Sequence, residues 1–219
     1  MGRFIVIEGL DGSGKTTQGK LLASRLREEG KKVRELSFPC YGERSASLVE
    51  MYLGGELGES PSDTNGYAAS MLYAADRYIS YVTDWKKDVE DEECTVLATR
   101  YTTANAYHQL SKLPREEWDG FFAWLYDFEF SKIGLPRPDC VVLLSMNQDI
   151  SSKNVRDRST ETGQKIDIHE KDRDYLIRCA EAALYAAEKD GWKVIECAPE
   201  GVLLPIQEIN DKIAEAIAE

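Results

Sequence analysis

Apolar and polar positions along the chain fall into two alternating kinds of segment. Short stretches carrying apolar and β-branched residues occur at Phe4–Ile7, Val33–Phe38, Cys94–Ala98, Cys140–Leu144 and Trp192–Cys197. Several are apolar throughout, the pattern of a strand buried on both faces, and turn residues close them. Between them lie longer stretches in which apolar residues recur every three or four positions. These predict helices over about Lys15–Glu29, Ser45–Leu53, Asp63–Lys87, Thr103–Lys112, Arg115–Phe130, from Asp172 to about Lys189, and from about Pro205 to the end. The first has Leu21, Leu22 and Leu26 on one face and Gly30 as its stop. The third carries Tyr67, Met71, Tyr78 and Val82 at spacings near 3.6 residues. Ser151–Asp172 breaks the pattern, being charged and poor in apolar residues.

Strands alternating with helices imply right-handed crossovers and a parallel sheet covered on both faces. The predicted fold is therefore α/β, with a five-stranded parallel sheet between layers of helices. No repeat or linker divides the 219 residues, so they read as a single domain, 1–219, with residues about 151–172 as a small mobile lid. In such sheets ligands bind beyond the carboxyl ends of the strands. That rule singles out Gly9–Thr17, Phe38–Arg44, Thr99–His108 and Ser145–Arg158.

Residues 9–16 read GLDGSGKT, a full G-x-x-x-x-G-K-[ST] match that follows a predicted strand and opens a predicted helix. Its glycines let the backbone curl until successive N–H groups point at phosphate oxygens, and the helix N-terminus adds partial positive charge. The segment is thus predicted to bind a nucleoside triphosphate through Gly9, Asp11, Gly12, Ser13, Gly14, Lys15, Thr16 and Thr17. Lys15 would reach the β- and γ-phosphates and the Thr16 hydroxyl would ligate Mg²⁺. This makes the fold a three-layer P-loop NTPase. The loop leaves the reaction open, because GTPases, motor ATPases and nucleotide kinases share it. A switch GTPase would need an N-K-x-D motif, which the nearest string, Ser151–Asn154, does not supply.

Charge narrows the partners. With 27 Lys+Arg against 39 Asp+Glu the net charge is −12, which argues against a nucleic-acid polymer but allows a local basic pocket. The five cysteines form no C-x-x-C pair and read as reduced thiols of a cytoplasmic protein. Phe4–Ile7 is too short for a signal sequence, and nothing approaches the ~18 apolar residues of a membrane span.

The stretch Thr99–Gln109, TRYTTANAYHQ, resembles the D-R-Y-x-x-S-N-x-x-[HY]-Q signature of thymidylate kinases. Further matches occur in the family's order: Phe38-Pro39 with Arg44-Ser45, Tyr73 with Ala75-Asp76-Arg77, and Pro138-Asp139 before the fourth strand. With the phosphate loop in the form EGLDGSGKTT, the resemblance covers nearly the whole chain. It implies ATP-dependent phosphorylation of dTMP to dTDP with Mg²⁺, and a homodimer packed through helices. Small-molecule nucleotides would be the substrates. Residue by residue, it implies that Arg100, with Arg44, holds the acceptor phosphate, as suits a forked guanidinium. Phe38 and Pro39 would border the acceptor, Tyr73 would stack on thymine, and Arg77 and Asn105 would hydrogen-bond the base. His108 would lie near the sugar, disfavouring a ribose 2′-hydroxyl, and Asp11 would contact the 3′-hydroxyl. The family takes a charge-neutralising arginine from the phosphate loop or the lid. Here Gly12 and Ser13 leave none in the loop, so Arg156 and Arg158 would join Lys15 and Arg100 as catalytic residues. Without the resemblance, Tyr73 reads as core, Arg77 as a surface arginine beside Asp76 or Asp84, and His108 as a helix-surface or core histidine.

Three positions depart from the family pattern. Thr99 stands for the aspartate of the signature, Ala104 for its serine, and Leu144-Ser145-Met146-Asn147 for the usual L-D-x-P. By analogy with deletion of one active-site group, loss of the aspartate costs on the order of 10²–10³ in rate. Slower transfer, another nucleotide or nucleoside as acceptor, and nucleotide binding with impaired catalysis all remain open readings.

Overall fold

The computed structural model describes residues 2–162 and 168–218, apart from the side chains of Gln148, Arg158, Ser159, Glu161, Thr162 and Lys171. Its strands are β1 (Arg3–Glu8), β2 (Lys32–Ser37), β3 (Cys94–Thr99), β4 (Cys140–Ser145) and β5 (Lys193–Glu196). They pair in parallel in the order β2-β3-β1-β4-β5, as the alternating pattern predicts. Ile7 lies opposite both Thr99 and Val142, and Thr99 also opposite Ser37. This register brings the ends of β1, β2 and β3 level, so the three segments that follow them emerge side by side.

β1 is central and buried on both faces. Phe4 and Val6 belong to a large cluster with Trp85, Tyr101, Phe121 and Ala182. Ile5 and Ile7 turn to the other face and meet Leu22, Ile209, Ile213 and Ile217. That second face is covered by α1 (Lys15–Glu28) and α10 (Ile206–Ala218). The first face carries α3 (Gly66–Ser80), α4 (Lys86–Glu90), α5 (Thr102–His108), α6 (Trp118–Tyr126) and α9 (Arg173–Asp190). A smaller cluster joins α2 (Ser47–Leu53) to α3 and to Ile168 of the short α8 (Ile168–Lys171).

The long helix predicted over 63–87 begins later, where Asn65 Oδ1 accepts the Ala68 N–H at 2.9 Å as an N-cap. It continues through a π turn, Tyr81–Trp85, into α4. Of its recurring apolar residues, Tyr67 sets its ring edge-on to the buried Phe121 at 5.1 Å, while Met71, Tyr78 and Val82 face outward. Tyr67, Met71, Tyr78 and Val82 are 40%, 55%, 43% and 48% exposed, while Ala69, Leu72 and Ala74 pack inward. The charged segment predicted as a lid is helical where described, as α7 (Gln148–Thr162) and α8. Val155 supplies α7 with a buried contact, and Asn154 Nδ2 donates to the Gly12 carbonyl at 2.8 Å. Residues 163–167 of that predicted lid lie outside the described residues.

Candidate active site

The loop after β1 adopts the backbone its glycines permit. Gly9, Gly12 and Gly14 have φ of 152°, 81° and 85°, values that L side chains rarely take. At Gly12 a side chain would also strike the Ser151 carbonyl oxygen of α7, so glycine is required twice over. Gly14 caps α1, whose first residues, Lys15 and Thr16, line a cavity of about 630 Å³. Ser13 is buried beneath the loop, and Thr17 is exposed on the first turn of α1.

Lys15 Nζ donates to the Leu10 carbonyl at 3.1 Å and to Asp11 Oδ1 at 3.4 Å. Burial, and then the nearby Arg100, push its ammonium down to about 8. Burial opposes ionisation of Asp11, but the pull of Arg100 and Lys15 prevails and holds its carboxyl well below the usual range. Asp11 thus accepts from a cation of the phosphate loop and from Arg100 across the cavity.

Arg100 begins the segment after β3 with φ 64°, an uncommon conformation for a non-glycine residue, and its N–H bonds the Ile7 carbonyl at 3.1 Å. Besides Asp11, its guanidinium reaches His108 Nε2 at 2.9 Å. Burial, then Arg100, hold the imidazole well below its usual range, so His108 is neutral and accepts at Nε2. Its hydrogen is therefore on Nδ1, 3.3 Å from the Tyr175 hydroxyl, which itself donates to the His108 carbonyl at 2.8 Å.

Two buried carboxylates organise the walls, and sequence reasoning assigned neither. Glu8, at the end of β1, accepts the Tyr101 N–H at 2.9 Å, Thr103 Oγ1 at 2.5 Å and Tyr107 Oη at 2.8 Å. Burial raises its carboxyl above the usual range, against the hydrogen bonds from Thr103 and Tyr107 and the charge of Arg100. Glu129, in a π turn that ends α6, accepts from Arg77 Nε at 2.8 Å and Nη2 at 2.5 Å. Arg77 therefore pairs with neither Asp76 nor Asp84. Asp76 holds the loop after β2 instead, accepting the Cys40 N–H at 2.9 Å and Ser45 Oγ at 2.6 Å. An acid closing an apolar strand was the available signal for Glu8, and an acid within an aromatic run for Glu129.

The cavity gathers most of the predicted site: Asp11, Lys15 and Thr16 on one side, and Phe38, Pro39, Tyr73, Arg77, Thr99, Arg100, Asn105 and His108 on the others. It adds Tyr41, Gln109 and His169, which sequence reasoning did not assign. Gln109 is fully buried, and among the described residues neither of its amide atoms has a hydrogen-bond partner. His169 Nε2 lies 2.7 Å from the Tyr52 hydroxyl, which accepts from Lys112 Nζ at 2.8 Å. Arg44 and Arg156 are exposed and stand outside the cavity wall. The Arg158 side chain lies outside the described residues. Thr99 Oγ1 is 3.5 Å from the Leu36 carbonyl, and its methyl group sits against Gly19.

The donor set available to a cation is the Thr16 hydroxyl beside Asp11. Among the described residues no three His, Cys, Asp or Glu side chains converge to hold a metal by themselves. This suits Mg²⁺, which binds through one or two protein oxygens while keeping waters and phosphate oxygens.

The family model described as "Thymidylate kinase" matches residues 7–213. A thymidylate kinase of Mycobacterium tuberculosis is 31% identical over 194 residues, covering 86% of this chain and 87% of its own. A probable thymidylate kinase of Methanococcus maripaludis is 27% identical over 223 residues, covering 100% of this chain and 98% of its own. The solved structure of a thymidylate kinase from Candida albicans superposes with a TM-score of 0.69 over 99% of this chain and 91% of that one. At 19% identity that likeness speaks for the fold.

Proposed function

The chain belongs to the thymidylate kinase family, and from that membership we propose that it transfers the terminal phosphoryl group of ATP to dTMP, giving ADP and dTDP. One observation carries the reading: a single cavity joins Asp11, Lys15 and Thr16 to Tyr73, Arg77, Arg100 and Asn105. Donor and acceptor cations thus face one space.

In this reading the loop amides and α1 cradle the ATP phosphates, and Lys15 leaves the Leu10 carbonyl for the β- and γ-oxygens. Mg²⁺, held by Thr16 and the phosphates, supplies charge neutralisation when bound. Arg100 holds the dTMP phosphate, joined by Arg44 when that exposed side chain turns inward, so that one phosphate oxygen attacks the γ-phosphorus as the bond to the β-phosphate oxygen breaks. Tyr73 stacks on thymine, and Arg77 and Asn105 read its edge. Asp11 takes the 3′-hydroxyl, and His108 closes the sugar side. The bond from Asn154 to the Gly12 carbonyl supports a lid seated on the phosphate loop, from which Arg156 and Arg158 neutralise the transferred group.

The exposed stripe Met71, Tyr78 and Val82 supports a homodimer built on α3 and the π turn after it, since a row of this kind gains by meeting a second copy. No helix among the described residues is long and apolar enough to cross a membrane. Free cysteines at 40, 94, 140, 179 and 197 support a reducing, cytoplasmic setting. A coupled ADP-release assay across the nucleoside monophosphates tests the activity. Turnover of dTMP is expected; none with dTMP beside rapid turnover of dCMP or of a nucleoside would sink the assignment.

A further inference from the structure

Glu129 is fully buried behind the acceptor wall, and four donors converge on it. Oε2 accepts from Arg77 Nε at 2.8 Å and Thr102 Oγ1 at 2.7 Å, and Oε1 from Arg77 Nη2 at 2.5 Å and Asn105 Nδ2 at 3.4 Å. A carboxylate oxygen can only accept, so it is the nitrogen of the Asn105 amide that faces Glu129. The carbonyl oxygen is then the amide's remaining group, and Asn105 lines the cavity. The same grip engages Nε and Nη2 of Arg77. It leaves Nη1, with a weak 3.5 Å approach to the Tyr101 carbonyl, as the guanidinium nitrogen that Glu129 does not engage, and Arg77 lines the cavity. With both residues on the wall, Arg77 can supply the cavity with a donor and Asn105 with an acceptor. Thymine and uracil present the complement, a 4-oxo acceptor beside an N3–H donor. Cytosine presents the reverse, a 4-amino donor beside a bare N3, and would leave both protein groups mismatched.

We propose that Glu129 is the specificity-setting positioning residue of the acceptor site. By fixing the hydrogen-bonding sense of Arg77 and Asn105, it selects 4-oxo pyrimidine monophosphates over 4-amino ones. The inference rests on the kinase reading above, and Glu129 acts through its two partners without touching substrate.

Glu129→Gln tests it. In E129Q an NH₂ at the Oε1 position would meet Arg77 Nη2 donor to donor and could donate to the Asn105 oxygen, so Arg77 loses half its grip and Asn105 can turn to present its own nitrogen to the base. The expected result is a KM for dTMP raised on the order of 10-fold, with kcat changed no more than about 3-fold. The kcat/KM ratio of dTMP to dCMP should fall by about 10-fold. Thr102→Val, which removes a neutral donor from the same carboxylate, should leave that ratio unchanged. An unchanged ratio in an E129Q protein that melts cooperatively overturns the proposal, because a purely structural role lowers activity on every acceptor alike. If E129Q does not melt cooperatively, the wild type decides. N3-methyl-dTMP has no N3 hydrogen for the Asn105 oxygen and should compete on the order of 10-fold more weakly than dTMP; equal competition overturns the proposal. Absence of dTMP turnover by the wild type would instead sink the kinase reading. Direct titration of dTMP against dCMP, in wild type and E129Q, would still read the role of Glu129.

Discussion

Replacing Glu8 by alanine removes one acceptor from three buried groups, the Tyr101 N–H, Thr103 Oγ1 and Tyr107 Oη. They are not stranded equally. Tyr107 Oη is also 3.2 Å from the Gly9 carbonyl and keeps a place for its hydrogen. The Thr103 hydroxyl can rotate, but the Tyr101 N–H is fixed by the backbone. A stranded buried donor costs about 1–3 kcal/mol and each weakened hydroxyl bond about 0.5–1.5 kcal/mol, so Glu8→Ala should lose roughly 2–6 kcal/mol. That is a large part of the ~5–15 kcal/mol that holds a domain folded. Glu8→Gln should lose no more than about 1 kcal/mol. Its oxygen can serve Tyr101 and Thr103, while its nitrogen donates to Tyr107 Oη and the Tyr107 hydrogen turns to Gly9.

The same pair reads pH. Burial raises the Glu8 carboxyl, so the stability this group contributes is full below the ordinary value of 4.5 and is lost as pH rises through the folded value. Glutamine has no such titration, so the difference between E8Q and wild type should move in favour of E8Q as pH rises above 4.5. Urea unfolding followed by circular dichroism, at several pH values, measures both effects. Acceptor KM should rise in E8A, because the Tyr101 N–H anchors the residue directly after Arg100. Equal stability losses for E8A and E8Q would refute the reasoning.

Lys112, pushed down to about 7 by burial, binds fewer protons folded than unfolded between about 7 and its ordinary 10.5. Wild type should therefore gain stability over Lys112→Met as pH rises through that window, and parallel melting curves would contradict this. Thr99→Asp restores a carboxylate at the end of β3 and should raise kcat roughly severalfold, by electrostatic support at the transferred group; in a folded variant, a lower kcat in the ADP-release assay counts against that role. Tyr78→Glu puts a charge on the exposed stripe of α3 and should shift light-scattering mass from dimer to monomer, whereas an unchanged dimer would place the interface elsewhere.

What the sequence carries most plainly is what the backbone imposes. Strands buried on both faces must be apolar, so β1 and β4 could be placed within a residue of their ends. The phosphate loop is contiguous and depends on left-handed glycines, which leaves a local trace. Glu129 leaves only the trace of an acid within an aromatic run, and its pairing with Arg77 leaves none: it is 52 positions away, and only tertiary packing brings it near. Periodicity on α3 announces an apolar row without saying what covers it, and here most of the row faces outward. On α7 the pattern fails in the opposite sense. Few apolar residues argue against a helix, yet Val155 and the Asn154 bond seat one.

The net charge of −12 and a cationic pocket are reconciled by where each acid sits. Asp84, Asp91, Asp119 and Asp211 are spent on surface pairs with Arg34, Lys32, Lys189 and Arg25, where solvent screens them. Inside, Glu8 serves N–H and O–H donors and Glu129 is engaged by Arg77, which leaves Asp11 to answer both Lys15 and Arg100. At Lys15 and Arg100 one carboxylate answers two cations, a local deficit of negative charge although Glu50 and Glu170 also line the cavity, and Arg100 adds to the downward push that burial exerts on Lys15. A nucleotide phosphate makes up that deficit, and whichever of the two cations it takes from Asp11, the other keeps the carboxylate. On the kinase reading proposed above, donor and acceptor sites would be coupled through Asp11. The neutral His108, anchored by Tyr175, is a second partner of Arg100 that carries no charge into this balance.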